Sequence, residues 1–322
     1  MTAEEILSSL SEKEVVNPEQ SDLISQYEKT KPFSIHWELR SILYLGILLF
    51  TGGLGVIIYQ NIDTIGHQVI IACIGILTLA CYFYTFQHRP NFSWQEVKSE
   101  NKLSEYTLLL GCTAFLILEG YLQFQYQFFG TRYGLAVIVP TLLFFFSAYF
   151  FDHRGVLSMA ITGLASWLGL TIAPMSVISG NDFSDIRLII TAITLGIALM
   201  VVGWITLKQN LKEHFSFTYL FLGGLIAIIA SMKGLFDQDG KILYFVVSSA
   251  LCVFFIFYSR LKQELAFLLM GVIFGYIVIT YGLFKILPVT LLAFISIYYF
   301  LFSSVGVIFF LLNVKKILGL KK

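Results

Sequence analysis

From near Ile42 onward the sequence passes through one stretch after another of about 18 to 22 residues almost free of charge. At 1.5 Å of rise per residue, each is long enough to carry a helix across roughly 30 Å of hydrocarbon. No soluble fold hides so much apolar surface: 57% of the 322 residues are hydrophobic and 13% charged, against about 45–50% and about 25% in ordinary domains. A closed barrel would also satisfy its backbone in lipid, but it needs short strands of alternating polarity. The runs here are continuous, as in LLFFF at 142–146. The expected fold is all-α, a polytopic integral membrane bundle of about ten transmembrane helices.

The spans are expected near residues 42–59, 68–86, 106–125, 133–151, 155–174, 187–207, 216–232, 242–259, 265–284 and 288–312. Three parts follow: a helical tail over 1–38, the bundle over 39–314 and a basic C-terminus over 315–322. The tail is polar and resembles no signal peptide, so the first span is expected to act as an uncleaved anchor. Within the tail, NPEQ at 17–20 reads as a helix start, with Asn17 as N-cap, Pro18 in the first turn and Gln20 at the capping-box position. Leu23, Ile24 and Tyr27 then form an apolar stripe, a candidate contact for the membrane surface or a cytoplasmic protein partner. Two helices this short cannot hold a core of their own.

Orientation follows from the basic residues. With the N-terminus inside, 16 of the 21 Lys and Arg fall on the inner side, and Arg132, Arg187, Lys233, Lys241 and Lys285 fall on the outer side. That asymmetry leads to the expectation that both termini of a multi-pass membrane protein lie in the cytoplasm. Ten spans also admit two five-span halves of opposite orientation. Glycine clusters at Gly52, Gly53 and Gly55, at Gly223 and Gly224, and at Gly271 and Gly275 are expected to mark close helix contacts.

Polar residues inside or at the ends of spans are the candidate sites. In the third span Cys112, Glu119, Gln123 and Tyr126 fall within about 40° of one helix face at 100° per residue. An acid at the depth of Glu119 is costly in hydrocarbon and points to function. The plainer account is a neutral or hydrogen-bonded side chain at a helix interface. QNID at 60–63 closes the first span, and Asn61 and Asp63 either cap neighbouring helix ends or join Glu119, Gln123 and Tyr126 in an outward-facing polar pocket. Asp152, in the DHR turn between the fourth and fifth spans, is expected to pair with Arg154 or a neighbour. His36, His88, His153 and His214 share the inner side, but no close-spaced pair supports a metal site. The four cysteines lie inside spans and read as packing residues.

No HExxH, GxSxG, Walker or CxxC motif occurs, and no basic tract interleaved with aromatics. No catalytic residue, metal or cofactor is therefore expected, and nucleic acid is not an expected partner; the bilayer is. Two functions remain open: a transporter-like protein with the outward polar pocket, binding a small molecule, or a non-catalytic scaffold or sensor whose tail contacts a protein.

The tail NPEQSDLISQYE, the span end GVIIYQNIDTIG, LQFQYQFFGTRYGL and FFDHRGVLSMAITGLASWLG together resemble the bacterial membrane-protein family known as domain of unknown function 2157. That family closes its first span on Asn-Trp-Asp; Asn61, Ile62 and Asp63 stand there, without the tryptophan. Its Gln-x-Tyr motif at the outer end of the third span is approximated by Gln125, Tyr126 and Gln127. The resemblance covers the tail and the first half of the chain, and implies a membrane protein without implying an activity.

Overall fold

The computed structural model describes residues 17, 20–24, 36–89, 91–97, 101–173, 183–238 and 240–319. They form ten long helices and, among the described residues, no strand. The helices are α1 (His36–Ile65), α2 (His67–Gln87), α3 (Lys102–Tyr126), α4 (Tyr133–Phe151), α5 (Arg154–Ile172), α6 (Ile186–Gln209), α7 (Phe215–Asp237), α8 (Lys241–Lys262), α9 (Leu265–Ile286) and α10 (Val289–Ile317). The all-helical membrane bundle read from hydropathy is thus the fold. Among the described residues 9 helices are long and apolar enough to cross a bilayer, and the apolar stretch of α1, Ser41–Ile57, is shorter.

In the tail, the Asn17 N–H donates to Gln20 Oε1 at 3.2 Å, and the Ser21 N–H donates to the Asn17 carbonyl at 2.9 Å. This is the capping box expected from NPEQ. Leu23 and Ile24 are exposed, and Tyr27 lies outside the described residues.

Successive helices run antiparallel. One end of the bundle gathers the α2–α3, α4–α5, α6–α7 and α8–α9 connections, with Arg89, Arg154, Lys208, Lys212, Arg260 and Lys262, and is called the basic end below. The other end gathers the remaining connections.

In lipid there is no hydrophobic drive between helices, so close packing and interhelical polar contacts must hold them together. The tightest contact is α6 against α7. A Cβ on Gly196 would sit 2.5 Å from the Gly223 carbonyl oxygen, and one on Gly223 would sit 2.8 Å from that of Gly196. The two backbones touch, and only glycine permits it. α7 is buried along most of its length and joins two clusters. One holds Leu108, Phe144, Leu157, Leu199 and Phe215 from α3 to α7. The other holds Leu220, Ile228, Cys252, Phe255 and Phe267 from α7 to α9.

Glycine frequency is an uneven guide. Gly224 lies against Phe255, and Gly271 against Ile256 and the Cys252 carbonyl, whereas Gly52, Gly53 and Gly55 of α1 have no neighbour within reach of a Cβ. α10 is peripheral too and meets α9 through side chains: Thr280 Oγ1 and Tyr299 Oη are 2.6 Å apart, and Tyr276 Oη donates to Ser303 Oγ at 3.1 Å. Of the cysteines, Cys81, Cys112 and Cys252 are buried and Cys73 is exposed on α2.

Helix pairing does not follow two inverted five-helix halves. That scheme equates α1/α2 with α6/α7, yet the second pair is the closest in the molecule and the first is slight. The main pairings are the hairpins α2/α3, α4/α5, α6/α7 and α8/α9, and α5 packs against α6 and α7, so the α4/α5 hairpin is joined to the second half of the bundle at least as closely as to α2/α3. The α4–α5 and α8–α9 turns are built alike: Asp152 (φ 60°, ψ 45°) then His153 (φ −115°, ψ 111°), and Gln263 (φ 55°, ψ 34°) then Glu264 (φ −99°, ψ 115°).

Candidate functional site

At the end opposite the basic one, the candidate residues are occupied mostly with holding loops. Gln123 is buried on α3; its Nε2 donates to the Gly130 carbonyl at 2.8 Å, and its Oε1 accepts from the Phe129 N–H at 3.0 Å. The side chain pins the α3–α4 loop. Gln123→Ala is expected to cost about 1–3 kcal/mol, since two part-buried hydrogen bonds to the loop are lost together, read as a lower melting temperature of the purified protein. Tyr126 is exposed at the end of α3.

His67, at the start of α2, links two further side chains of α3. Its Nδ1 lies 2.6 Å from Tyr121 Oη, and its Nε2 lies 3.2 Å from Gln125 Nε2. Glu119 is half-buried, and its Oε1 has no hydrogen-bond partner among the described residues. Asn61 and Asp63 do not start the next helix. α1 continues through them to Ile65, and Gly66, at φ 81°, is the N-cap of α2. The helix runs through QNIDTI, although Asn, Asp, Thr and Ile are weak helix formers, until Gly66 supplies the positive-φ turn. The side chains of Asn61 and Asp63 lie outside the described residues.

The dense polar site is at the basic end. Asp152, at the left-handed position that closes α4, points one carboxylate oxygen at two basic side chains: Lys212 Nζ is 2.8 Å and His214 Nε2 2.7 Å from Oδ1. The other oxygen, Oδ2, accepts from the Val97 N–H at 2.6 Å. The side chains of Asp152, Lys212 and His214 are 5%, 1% and 4% exposed. The α2–α3 connection is held beside them. Its Trp94 carbonyl accepts from the Lys212 N–H at 2.7 Å, and Glu96 receives Arg154 Nη2 at 3.1 Å. Arg154 therefore pairs with Glu96, not with Asp152: the tight turn points the two side chains apart, and longer-range partners win. His153 serves as the N-cap of α5, its Nδ1 accepting from the Val156 N–H at 3.1 Å.

A buried ion pair gains from Coulomb attraction only after a desolvation cost of several kcal/mol per ion, and is held where further hydrogen bonds satisfy it. Here the cluster ties the α4–α5 turn, through Asp152, to the α6–α7 turn, through Lys212 and His214. Lys212 is held at φ 50°, a conformation costing a non-glycine residue about 1–2 kcal/mol.

Burial pushes the Asp152 carboxyl up, but His214, Lys212 and the Val97 N–H together outweigh it and leave it below its ordinary value of 3.8. A depressed folded value stabilises the protein above pH 3.8, and this contribution is lost as pH falls through the folded value. Below about pH 4 the wild type is expected to lose stability more steeply with pH than Asp152→Asn, in melting curves taken across that range.

Against this cluster lies a cavity of about 840 Å³. Gln95 and Glu96 form one wall with Arg154. Asn210, Glu213 and His214 of the α6–α7 turn form another with Leu207, while Ser216, Phe217, Tyr258, Lys262, Glu264 and Phe267 complete it from α7, α8 and α9. The aromatic side is a packed box: Phe267 meets Phe217 edge-on at 5.4 Å and Tyr258 at 5.0 Å between ring centres. The other nitrogen of the His214 ring, Nδ1, is buried and has no hydrogen-bond partner among the described residues.

Residues 8–157 match the family model of the predicted membrane proteins DUF2157. The resemblance read from the tail, the QNID span end and the DHR turn holds over these residues. The match takes in Glu119, Gln123 and Asp152 and stops before Lys212 and His214. No curated protein and no solved structure is significantly similar to the chain.

Lys212, Glu213, His214, Tyr258 and Glu264 were not legible as a site in the sequence. Their one signal is charge density in short turns: KQNLKEH at 208–214 and KQE at 262–264 belong to the same end as DHR at 152–154.

Proposed function

We propose that the protein is a non-catalytic, transporter-like membrane protein that binds a small solute in the cavity at its basic end, which faces the cytoplasm of a bacterial inner membrane. The observation that carries this is the cavity itself, which His214 lines with its side chain also tied to the buried Asp152. The orientation rests on the excess of Lys and Arg at this end. A cavity of this volume falls in the range that holds small molecules, and it is lined from four interhelical connections and the helix ends beside them. The polar residues at the other end carry the reading less well, because Gln123 is committed to a loop and, among the described residues there, Glu119 alone keeps a buried atom without a partner.

The test fills the cavity. Wild type and Leu207→Trp are purified in parallel, incubated with the small-molecule fraction of a cell extract, washed, and their retained molecules identified by mass spectrometry. The expected result is a molecule held by the wild type and lost from a folded Leu207→Trp. Equal retention by both sinks the proposal.

A second reading has one observation behind it: Leu23 and Ile24 are 70% and 43% exposed in the tail, which suits a scaffold or sensor that contacts a protein. If deleting residues 1–30 leaves every complex of the protein intact, that reading falls.

A further inference from the structure

We propose that the solute of this cavity is an organic cation, a protonated amine carried on an apolar body, held by Glu213 and Glu264 with its apolar part against Phe217, Tyr258 and Phe267. The inference rests on the cavity being the binding site, and adds the class of ligand. The ionised groups of the walls decide it. Arg154 is tied to Glu96 at 3.1 Å, and Lys212 beneath is tied to Asp152 at 2.8 Å. Glu213 and Glu264 make no ion pair among the described residues, and Lys262 is the single lining cation in that position. The surplus is negative.

Both carboxylates line the same cavity as Tyr258, although they come from different turns. The aromatic wall is the edge-to-face set of Phe217, Phe267 and Tyr258. Ring faces attract a cation through their quadrupole, and a carboxylate alongside adds a charge-assisted hydrogen bond. The His214 ring also lines the cavity, and its buried Nδ1 has no hydrogen-bond partner among the described residues. An anionic ligand would meet two carboxylates with only Lys262 to receive it.

The experiment uses Leu207→Cys in a chain carrying Cys73→Ser; the other three cysteines are buried and unreactive. Its labelling by a membrane-impermeant thiol reagent is timed in inside-out vesicles with phenethylamine, with neutral 2-phenylethanol, and with phenylacetate. Phenethylamine is expected to slow labelling several-fold, the other two to leave it unchanged, and Glu213→Gln with Glu264→Gln to abolish the protection. Labelling that phenylacetate slows, or that none of the three slows, overturns the cation class while leaving the cavity in place. No labelling in vesicles of either orientation overturns the cavity reading and this inference together.

Discussion

Asp152→Asn is expected to destabilise the folded protein by about 3–5 kcal/mol, the usual cost of leaving one ion of a buried pair without its partner. Asparagine isolates the charge. It tolerates the left-handed backbone that Asp152 adopts at φ 60°, and it matches the carboxylate in size. What it lacks is the negative charge that faces Lys212 Nζ at 2.8 Å and His214 Nε2 at 2.7 Å. Lys212 is 1% exposed and cannot turn to water. Adding Lys212→Met to Asp152→Asn removes the stranded cation and is expected to recover most of the loss, because the lysine stem already packs as hydrocarbon. Melting temperatures of the two single variants and the double variant give the coupling between the sites. A change within about 0.5 kcal/mol for Asp152→Asn, typical of a surface site, would mean that the pair is not buried in the working protein.

The second large effect is expected at the α6–α7 crossing. A Cβ on Gly196 meets the Gly223 carbonyl oxygen at 2.5 Å and the Ala227 backbone nitrogen at 2.7 Å. These are main-chain atoms and cannot swing aside. Gly196→Ala must therefore push the two helices apart, at about 1–3 kcal/mol or more for an overpacked contact, and Gly223→Ala is expected to do the same. The double variant should cost less than the sum, since one separation relieves both clashes. Gly306→Ala on α10 is the control. Nothing lies within 4 Å of its added Cβ, so only the higher helix propensity of alanine, about 1 kcal/mol at most, remains. The readout is monodisperse yield and melting temperature in detergent. Equal behaviour of Gly196→Ala and Gly306→Ala would contradict the close crossing.

How much of this could be read from the chain alone differs by level. Hydropathy located the helices, because crossing lipid demands length and apolarity from each segment by itself. Capping chemistry located the tail helix start, because Asn17 and Gln20 interact across three residues. Pairing of helices was not legible. The glycines of α1 and those of α6 and α7 look alike in sequence, and only the packing decides that Gly196 and Gly223 meet while Gly52 and Gly55 meet nothing. The site was half legible. Glu119 stood out because an acid amid apolar residues is conspicuous, yet the denser cluster is assembled from Asp152 and from Lys212 and His214 some sixty residues later, each of which alone reads as an ordinary turn residue. Gln123 illustrates the opposite error, a polar group inside a span whose bonds to Phe129 and Gly130 are structural.

The most direct measurement is the sidedness of water access to the cavity. Leu207→Cys, in a chain with Cys73→Ser, is exposed to a membrane-impermeant thiol reagent in inside-out and in right-side-out vesicles. The account predicts labelling in inside-out vesicles and protection in right-side-out ones, with the buried Cys81, Cys112 and Cys252 silent in both. Labelling confined to right-side-out vesicles, or absent from both, would contradict it.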